Sequence, residues 1–445
     1  MRVKGQKFLV VGLGKTGVAV SGFLARAGAD VTATDLRDAG EITEAADLEK
    51  LGVKLRTGGH REDVFTQART VVLSPGVPPD IEPVRAARRA DARVIGEVEL
   101  SSALCGLPVV AVTGSNGKTT TTGLIGHILK ACGKKPFVGG NFGDPFINAV
   151  GNESAYDLAL LEMSSFQLKT TFAFKPAVAV LLNISPNHLD VHPDYEDYAL
   201  SKKKIFANQT QDDWAVANGA DTQVAAMLDN LSAKKVLFNS ELTGEHPGCA
   251  TSDGQTVFFR GEKYDLSGSK LQGRHNMENS MAAIAVASIL GCEPEKTAAA
   301  VIEFSPPPHR MEFVSDVRGA RVYDDSKSTN PAAAAAALTA LDKPVVLISG
   351  GKDKKTGFSA LREPVRSKVS SLVLFGEARR AMMSELGTLT KTFAADSLQN
   401  AVEIAVSEAR PGGSILFSPA CSSFDMFSSF EERGREFKKI VKRFG

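Results

Sequence analysis

Thr113-Gly114-Ser115-Asn116-Gly117-Lys118-Thr119-Thr120 follows the apolar run Pro108-Val109-Val110-Ala111-Val112, and this stretch decides how the middle of the chain folds. The pattern predicts a buried strand, a glycine-rich turn and a helix whose first N–H groups and positive dipole end face an anion. Lys118 would neutralise phosphate charge, and Thr119 would place its hydroxyl on Mg²⁺. A turn without a ligand is the alternative, but it has no use for a lysine followed by four threonines at a helix start. The stretch therefore predicts a nucleoside triphosphate site made by Gly114, Ser115, Asn116, Gly117, Lys118, Thr119 and Thr120.

Length and composition bound the class of protein. The 445 residues suggest about three domains of ~150 residues each. The formal net charge of +1, with basic and acidic residues intermixed, gives no electrostatic footprint for nucleic acid or an anionic membrane, so we expect small-molecule partners. The five cysteines are scattered without a C-x-x-C pair, which argues against a disulfide framework and a zinc site and fits a reducing compartment. With no signal-like start and no membrane-spanning apolar stretch, the sequence predicts a soluble cytoplasmic protein.

The first segment carries a second glycine-rich turn. An apolar strand at residues 8–11 precedes Gly12-Leu13-Gly14-Lys15-Thr16-Gly17, which matches G-x-G-x-x-G ahead of a helix, and a second strand at 31–34 ends at Asp35. Asp35 lies at about the distance expected for a ribose-binding carboxylate. A turn that only packs a helix on a strand is the alternative. A further strand at 70–73 leads to the stiff loop 74–79, and ligands bind beyond strand ends in open α/β sheets, so we expect this segment to bind a nucleotide-like group.

The rest of the chain repeats the alternation of strands and helices. Strands are predicted at 158–161 and 177–182, and an Ala-rich helix follows 271–276 and runs to about residue 290. Ser305-Pro306-Pro307-Pro308 is a stiff linker, beyond which strands at 345–348, 372–375 and 415–417 alternate with helices at 332–341 and 398–409. The predicted fold class is α/β in three domains. These are a Rossmann-like domain at 1–104, a central P-loop ATPase-like domain with a mostly parallel sheet at 105–304, and a C-terminal Rossmann-like domain at 305–445.

Two strand ends offer candidate metal ligands. Glu162 ends the buried strand 158–161, where nucleotide-binding sheets commonly place a metal-binding carboxylate, and a solvent-facing glutamate is the alternative. Magnesium prefers oxygen ligands, so Thr119 and Glu162 form a sensible pair. His188 follows another strand end and could reach the same rim, although a lone histidine there is more often an ordinary loop residue.

Residues 194–208 predict a helix with Asp194 as N-cap and one apolar stripe, made by Tyr195, Tyr198, Ala199, Lys202, Ile205 and Phe206. Of three consecutive lysines, only Lys202 lies on this stripe, whereas a solvated charge run explains Lys203 and Lys204. A lysine on an inward face must find a counter-charge, reach out to solvent or lose its proton. A neutral amine can react with CO₂ to form a carbamate, which would turn a cation into an anionic metal ligand.

These residues resemble the motifs of the Mur ligases of peptidoglycan synthesis, and the resemblance covers essentially the whole chain. Val112 stands where the general phosphate-loop pattern has its first glycine, and residues 113–120 look like the short loop of that family. Leu161-Glu162-Met163-Ser164-Ser165-Phe166-Gln167-Leu168 is similar to the second motif, and Gly273-Arg274-His275-Asn276 with Asn279 to the adenine-side motif. Residues 324–331, 418–425 and 430–434 resemble the branch that adds D-glutamate. The sequence has no Asp-Asn-Pro-Arg motif, which is usual in the branches that add diaminopimelate or lysine.

The resemblance implies an ATP-dependent amide ligase of cytoplasmic peptidoglycan precursor synthesis, and hence a role in cell-wall biogenesis, cell shape and cell division. ATP would phosphorylate the free carboxylate of UDP-N-acetylmuramoyl-L-alanine, and the amine of D-glutamate would attack the acyl phosphate. The implied cofactors are ATP, two Mg²⁺ ions and a CO₂-derived carbamate on Lys202. We expect a monomer without stable membrane insertion.

The resemblance also implies site residues, each carried over by its position in a motif. The catalytic residues would be Lys118, His188 and Lys202. The metal ligands would be Thr119, Glu162, His188 and Lys202, and the ATP site would add Asn279, Arg310 and Asp325 to the phosphate loop. The UDP substrate would be held by Leu13, Gly14, Thr16, Asp35, Arg37, Ser74, Gly76, Asn141, Ser164 and His188. D-glutamate would be held by Thr329, Lys354, Ser423 and Phe430.

One departure from the family pattern and three rival interpretations stay open. Leu36 stands where a hydroxyl residue often helps to bind uracil, so Asp35, Arg37 and backbone groups must do more there. A nicotinamide-dependent oxidoreductase would explain the first glycine turn and Asp35 but not the C-terminal motif. An ATP-controlled binding protein would differ in showing no ATP turnover that depends on an amino-acid acceptor. Another Mur ligase or a folylpolyglutamate synthetase would keep the chemistry and change the acceptor.

Overall fold

A computed structural model describes residues 2–188, 191–239, 248–251, 255–271, 273–306, 308–342, 344–355 and 357–444. Pro307 of the predicted linker and Gln272 lie outside the described residues. The chain forms three sheets in two compact units, of which the first comprises Met1–Ile184, Ala199–Ser267 and Glu278–Val301. The second comprises Ser185–Tyr198, Gly268–Met277 and Ile302–Gly445. None of the helices in the described ranges is both long enough and apolar enough to cross a membrane.

The first sheet is parallel throughout and has the order β3-β2-β1-β4-β5. Its strands are β1 (Lys7–Val11), β2 (Asp30–Thr34), β3 (Lys54–Arg56), β4 (Thr70–Leu73) and β5 (Arg93–Gly96). Its helices are α1 (Lys15–Arg26), α2 (Ala45–Lys50), α3 (Glu62–Thr66), α4 (Glu82–Arg89) and α5 (Glu97–Ser102), with a 3₁₀ turn at Ala39–Glu41. The strand order reverses between β1 and β4, so the loops after these strands form the crevice where such sheets bind ligands.

The second sheet places the strand of the phosphate loop near its centre. The strands are β6 (Val109–Thr113), β7 (Pro136–Gly140), β8 (Leu158–Glu162), β9 (Val178–Leu181), β10 (Trp214–Asn218), β11 (Lys234–Phe238), β12 (Gly248–Thr251), β13 (Thr256–Phe259) and β14 (Glu262–Asp265). The order is β14-β13-β12-β11-β10-β9-β6-β8-β7, so β6 lies between β9 and β8. All residues of β6 and β8 are buried, which explains their near-continuous apolar sequence. Short strand-like runs were predicted on either side of a turn at Asp253-Gly254, which lies outside the described residues, whereas the antiparallel addition β14 was not predicted, because its short strand lacks a clear period.

Six helices lie in the same part of the sequence. They are α6 (Lys118–Ala131), α7 (Ser165–Lys169), α8 (Tyr195–Lys203), α9 (Thr222–Ala226), α10 (Arg274–Ile289) and α11 (Pro294–Glu303), with 3₁₀ turns at Phe146–Ala149, Glu153–Ala155 and Lys204–Phe206. The Asp194 carboxylate accepts the Asp197 N–H at 2.8 Å, which confirms the predicted N-cap. The predicted helix 194–208 is wrong at its end, since the last turn tightens to 3₁₀. Lys204 was predicted as solvated, but it is half-buried and donates to the Lys169 carbonyl at 3.0 Å.

The third sheet has helices on both faces. Its strands are β15 (Glu312–Val317), β16 (Ala320–Asp324), β17 (Val345–Gly350), β18 (Val369–Phe375), β19 (Lys391–Ala394) and β20 (Ser414–Ala420), in the order β15-β16-β20-β17-β18-β19. The helices are α12 (Pro331–Thr339), α13 (Arg362–Lys368), α14 (Arg379–Leu386), α15 (Leu398–Glu408) and α16 (Phe430–Val441), with a 3₁₀ turn at Ser359–Leu361. One core cluster packs α12, α13 and α14 on the sheet, and a second packs α15 and α16. The predicted α/β class is confirmed, and the pairing of β15 with β16 is the antiparallel one among the described strands of this third sheet.

Candidate active site

The phosphate loop joins β6 to α6 and is held by Asn183. Gly117 has a φ of +84°, and a Cβ there would lie 2.3 Å from Asn279 Oδ1, so no other residue fits without strain. The Asn183 carbonyl accepts the Ser115 N–H at 2.9 Å, and its side-chain Oδ1 accepts the Asn116 N–H at 2.9 Å. The loop is therefore folded by bonds within the protein. Sequence reasoning missed the role of Asn183, because nothing local signals it.

The start of α6 concentrates positive potential. Lys118 Nζ donates to the carbonyls of Gly114 at 2.8 Å and Ser115 at 3.0 Å, so the ammonium lies over the loop. The first N–H groups of a helix have no intrahelical acceptor and carry the positive end of the dipole. Thr121 Oγ1 donates to Asn279 Oδ1 at 3.1 Å, which ties α6 to α10. Lys118 and the N-terminus of α6 thus form an anion site, and Asn279 lies beside it.

Glu162 has the properties of a cation ligand. It ends β8 directly beside Val112 of β6 and is only 2% exposed. Its Oε1 accepts from Asn141 Nδ2 at 2.7 Å, whereas Oε2 is buried without a hydrogen-bond partner in the described part of the chain. A buried carboxylate oxygen left unpaired is costly unless a cation or water completes it. Thr119, which is 4% exposed on the first turn of α6, adds a hydroxyl, so this donor set fits Mg²⁺.

Lys202 confirms the prediction that it alone of the three lysines faces inward. It is 1% exposed, whereas Lys203 and Lys204 are half-buried. Its Nζ donates to the Gly114 carbonyl at 2.9 Å and lies 3.5 Å from Thr113 Oγ1, so the amine reaches the phosphate loop. Burial and the charge of Lys118 lower the pKa of the Lys202 amine well below its ordinary value, while Glu162 acts in the opposite direction. The site therefore favours a neutral amine.

A cleft of about 410 Å³ opens at the crevice of the first sheet. Ser74 Oγ donates to the Gly12 carbonyl at 2.7 Å, which joins the loops after β1 and β4. A Cβ on Gly17 would lie 1.8 Å from the Gly12 carbonyl oxygen, so the third glycine of the turn is needed for close packing. The cleft is lined by Gly12, Gly14, Lys15, Thr16, Asp35, Leu36, His60, Ser74, Pro75, Gly76, Val77, Gly140 and Asn141.

Six residues expected to hold the UDP substrate line this cleft, namely Gly14, Thr16, Asp35, Ser74, Gly76 and Asn141. Leu13 and Arg37 are not among its lining residues and instead bind Asp35. Ser164 caps α7, where its Oγ accepts the Gln167 N–H at 3.3 Å. Asn141 connects the cleft with the Glu162 site, since it lines the first and donates to the second.

The carboxylate of Asp35 is fully used within the protein. Oδ1 accepts from the N–H and Nε of Arg37 at 2.9 and 3.0 Å, and Oδ2 accepts from the Leu13 N–H at 2.6 Å and Arg37 Nη2 at 3.1 Å. Burial raises the pKa of the Asp35 carboxyl, but the bonds from Arg37 and Leu13 outweigh it and hold the pKa at about 2. A carboxylate has about four lone-pair sites, and these four donors fill them. Asp35 thus acts here as a scaffold for Leu13 and Arg37.

In the second unit, Arg310 and Asp325 lie in a buried polar network. Asp325 accepts from the Met311 N–H at 3.2 Å and from Ser418 Oγ at 2.7 Å, and burial raises its pKa to about 6 despite these bonds. Burial and the charge of Arg310 lower the pKa of His275 to about 4. His309 and Met311, which flank Arg310, have φ values of +65° and +48°, a strained conformation for residues other than glycine. Strain of this kind is common where a side chain must be aimed.

The four residues expected to hold D-glutamate lie on three loops of the second unit that bind one another. The Lys352 N–H donates to the Ser422 carbonyl at 2.9 Å, which joins the Lys354 loop to the Ser423 loop. The Ala420 N–H donates to the Ser328 carbonyl at 2.9 Å, which joins the loop before Thr329. The Phe430 carbonyl accepts from Ser326 Oγ at 2.8 Å. The structure therefore brings the segments of Thr329, Lys354, Ser423 and Phe430 together.

Arg433 binds two of these loops through hydrogen bonds, and no role for it was predicted from the sequence. Its side chain is 0% exposed. The guanidinium donates to Ser326 Oγ at 3.1 Å, the Ser326 carbonyl at 2.8 Å, the Cys421 carbonyl at 3.1 Å and the Ser422 carbonyl at 3.1 Å. Arginine has a rigid fork of donors, so one residue can fix two backbone segments at once.

His188 belongs to the second unit, whereas Thr119, Glu162 and Lys202 belong to the first. Its φ is +55°, and its N–H donates to Asn187 Oδ1 at 3.0 Å. The same Asn187 oxygen lies 3.5 Å from Lys354 Nζ. His188 and Lys354 are therefore connected through Asn187, which the sequence did not single out.

Among the described residues, the one close group of three potential metal-binding side chains is His309, Glu312 and Asp324. It contains none of the predicted ligands. His309 Nδ1 lies 2.6 Å from Asp324 Oδ2, and Lys438 Nζ donates to both oxygens of Glu312 at 2.9 and 3.0 Å. Lysine already supplies the counter-charge, so this group is a structural network.

Three family models match the chain. They describe a Mur ligase MurD-like N-terminal domain over residues 6–96, a Mur ligase middle domain over residues 112–287, and a Mur ligase glutamate ligase domain over residues 309–421. Over 99% of its length the chain is 45% identical to the UDP-N-acetylmuramoylalanine--D-glutamate ligase of Geobacter sp. (strain M21), of which it covers 98%. It is 40% identical to the protein of the same name from Desulfatibacillum aliphaticivorans, with 99% of each chain covered.

Solved structures share the fold at low identity. MurF from Acinetobacter baumannii has a TM-score of 0.62 at 18% identity, with 98% of this chain and 91% of that chain covered. The pseudomurein peptide ligase type C from Methanothermus fervidus has a TM-score of 0.61 at 18% identity, with 99% and 100% covered. MurF from Thermotoga maritima, solved in complex with ADP, has a TM-score of 0.60 at 17% identity, with 99% and 96% covered.

Proposed function

We propose, from the premise that this chain belongs to the Mur ligase family, that it is an ATP-dependent ligase joining D-glutamate to UDP-N-acetylmuramoyl-L-alanine. The observation that carries the proposal is the sequence likeness to D-glutamate ligases, which covers 99% of this chain and so spans the segments of all three sheets. The reaction forms an amide from a carboxylate, ATP and an amine, and releases ADP and phosphate.

The cleft of the first sheet is the proposed site for the UDP substrate. The turn at Gly12 to Gly17 precedes α1, whose N-terminus offers N–H groups to the pyrophosphate. Asn141 lies in the same cleft and binds Glu162, so the substrate's free carboxylate would extend toward the phosphate loop. Ser164 and His188 are proposed to act nearer the sugar and the carboxylate.

Activation of the carboxylate is proposed to take place at the phosphate loop. A carboxylate is a poor electrophile, and transfer of the γ-phosphoryl group turns one of its oxygens into a leaving group. Lys118 and the N–H groups at the start of α6 would stabilise the negative charge that develops on the transferred phosphoryl group. Asn279, Arg310 and Asp325 are proposed to hold the rest of ATP. Mg²⁺ held by Thr119 and Glu162, with a second ion at His188, would supply further charge neutralisation.

Lys202 is proposed to carry a carbamate. The lowered pKa keeps part of the amine neutral, and only the neutral form reacts with CO₂. In that reaction the nitrogen bonds to the carbon of CO₂ as one C=O π bond breaks, one proton passes from the nitrogen to solvent, and the product is an anion. An anion beside Lys118 is favoured, whereas a second ammonium there is not. The conversion would therefore remove a repulsion and add a ligand for a metal ion.

The D-glutamate site is proposed on the loops of Thr329, Lys354, Ser423 and Phe430. Lys354 would bind the side-chain carboxylate, with Thr329 and the Ser423 region beside it. Inverting the α-carbon with the amine fixed swings one carboxylate away from its partner. Leaving one partner of a buried charge pair unpaired costs about 3–5 kcal/mol, enough for at least a hundredfold preference for the D-enantiomer.

We propose that the chain acts in the cytoplasm as a monomer. Four of the five cysteines, Cys105, Cys132, Cys292 and Cys421, are free thiols, which suits a reducing compartment. All proposed site residues come from one chain.

The test is phosphate release from ATP with UDP-N-acetylmuramoyl-L-alanine and a panel of D- and L-amino acids. We expect release with D-glutamate and at least a hundredfold less with L-glutamate. Release without any acceptor would indicate an ATPase or a binding protein. Turnover only with L-alanine, glycine or a diamino acid would be consistent with the family but would refute D-glutamate as the amino-acid substrate.

A further inference from the structure

The base end of the UDP cleft lacks the polar groups that the family pattern suggests. Both oxygens of Asp35 are filled by protein donors, as described above. The side chain of Leu36 has no polar atom, and the residue is 71% exposed beside the cleft. Leu36 offers an apolar surface for a planar ring but cannot tell one pyrimidine from another. The side chains of Asp35 and Leu36 thus leave polar recognition of the base to backbone groups and to other side chains that line the cleft.

His60 lies where that recognition is needed. It follows β3, which pairs with β2, and it lines the cleft together with Asp35 and Leu36. The pyrophosphate is proposed at the glycine turn after β1, so the nucleoside extends toward the ends of β2 and β3. The ring packs edge-on against Phe65, with centroids 5.8 Å apart at 74°. Its Nδ1 lies 3.1 Å from Thr34 Oγ1, so two contacts fix the orientation of the imidazole.

The contacts of Thr34 favour one tautomer of the His60 ring, the one in which Thr34 donates to the Gly59 carbonyl. Thr34 Oγ1 donates its one hydrogen to the Gly59 carbonyl at 3.3 Å. The hydroxyl can then only accept from His60, so Nδ1 is the donor and Nε2 keeps its lone pair. Burial lowers the pKa of His60, more than the charge of Asp35 raises it, which favours the neutral ring. Nε2 has no hydrogen-bond partner among the described residues, and it is an acceptor.

We propose that His60 Nε2 accepts a hydrogen bond from the N3–H of uracil and makes this cleft selective for a uridine nucleotide. The inference rests on the proposed function of the cleft and adds a residue to it. Uracil carries a hydrogen on N3, whereas cytosine has a lone pair there, so an acceptor at this place binds the first and repels the second. Leu36 packs on the face of the same ring. The hydroxyl missing at position 36 is thus replaced by a nitrogen from the neighbouring strand's loop.

Calorimetric titration of the full chain with UDP, N3-methyl-UDP and CDP tests the proposal. N3-methylation removes the donor, and CDP removes it without adding bulk. We expect the unchanged chain to bind UDP at least about tenfold more tightly than either analogue, since one directional hydrogen bond is worth about that much. In His60→Leu, UDP affinity should fall about tenfold, and its advantage over both analogues should shrink by a similar factor. Arg61→Ala is the matched control, because Arg61 is the next residue and pairs with Asp63 outside the cleft.

A histidine that only supports the fold gives a different result. His60→Leu would then weaken all three nucleotides equally, and the ratios between them would stay as in the unchanged chain. Unchanged ratios, or equal binding of UDP and its analogues by the unchanged chain, would overturn the proposal. No binding of UDP would overturn it as well. D-glutamate-dependent phosphate release by the unchanged chain separately reports on the proposed function.

Discussion

Replacing Arg433 by methionine removes the donors that fix two loops of the proposed amino-acid site. The methionine side chain keeps most of the buried volume but none of the hydrogen bonds. Four acceptors then lose a hydrogen bond, namely Ser326 Oγ and the carbonyls of Ser326, Cys421 and Ser422, of which the Ser422 carbonyl keeps the Lys352 N–H. Arg433 is 0% exposed, so water cannot replace these bonds without opening the structure.

The magnitude follows from these bonds and from the burial of the charge. Each lost hydrogen bond costs about 1 kcal/mol, which gives about 4 kcal/mol for the four. Methionine also relieves the desolvation of the guanidinium, which lowers the pKa of Arg433 to about 10. This relief offsets part of the loss, so we expect a net destabilisation of about 3 kcal/mol.

Native-state hydrogen exchange measures this loss where it occurs. The only tryptophan, Trp214, lies in the first unit, so its fluorescence follows that unit rather than the loops of Arg433. In Arg433→Met, we expect the amides of β16 and β20 to exchange about a hundredfold faster, the factor that corresponds to about 3 kcal/mol. The urea transition of Trp214 should move little. Arg435→Met is the control, because Arg435 is exposed on the same helix. Acceleration below about threefold in Arg433→Met would refute the reasoning.

Three further predictions concern single side chains. Lys202→Ala should lose most D-glutamate-dependent phosphate release and regain part of it when a small carboxylic acid is added. Lys203→Ala is the control and should keep nearly all of this activity. Equal loss in both variants would contradict a special role for the inward-facing Lys202. Lys354→Ala should raise the KM for D-glutamate at least tenfold with ATP binding unchanged, and an unchanged KM would remove Lys354 from the acceptor site. Burial raises the pKa of Glu97 from an ordinary value of 4.5 to about 7, so the folded state holds a proton that the unfolded state has already lost. The contribution of this proton to folding stability is therefore full below pH 4.5 and is lost as the pH rises through about 7. Glu97→Gln should remove this dependence, on the order of 3 kcal/mol, in urea titrations between pH 4.5 and 8, and an equal slope in both proteins would exclude Glu97 as its source.

Local sequence patterns predict much of the fold because burial imposes a period on each strand and helix. The continuous apolar runs of β6 and β8 mark strands buried on both faces, and the stripe through Tyr198 and Ile205 separates Lys202 from its neighbours. The same patterns do not predict β14, which is short and mostly polar.

Contacts between distant residues are the part that the sequence does not reveal. Asn183 and Arg433 act through backbone carbonyls and N–H groups, which every residue has, so no side-chain pattern marks their partners. The hydrogen-bond partners of the Asp35 carboxylate also depend on tertiary structure. The sequence spacing that predicts a ribose-binding carboxylate is the same whether the oxygens of Asp35 bind a ligand or Arg37.

The bonds from Asn183 to the phosphate loop have a consequence for the speed of nucleotide capture. When a loop takes its binding conformation only part of the time, collisions during the rest of the time are unproductive. The association rate then falls in proportion to the fraction of time spent in other conformations. Here Asn183 accepts the N–H groups of Ser115 and Asn116, so the loop is already ordered when the nucleotide arrives. Differences in affinity among nucleotides should then arise in how slowly they leave. The dissociation rate, rather than the association rate, would then decide whether a nucleotide is still bound when the second substrate arrives.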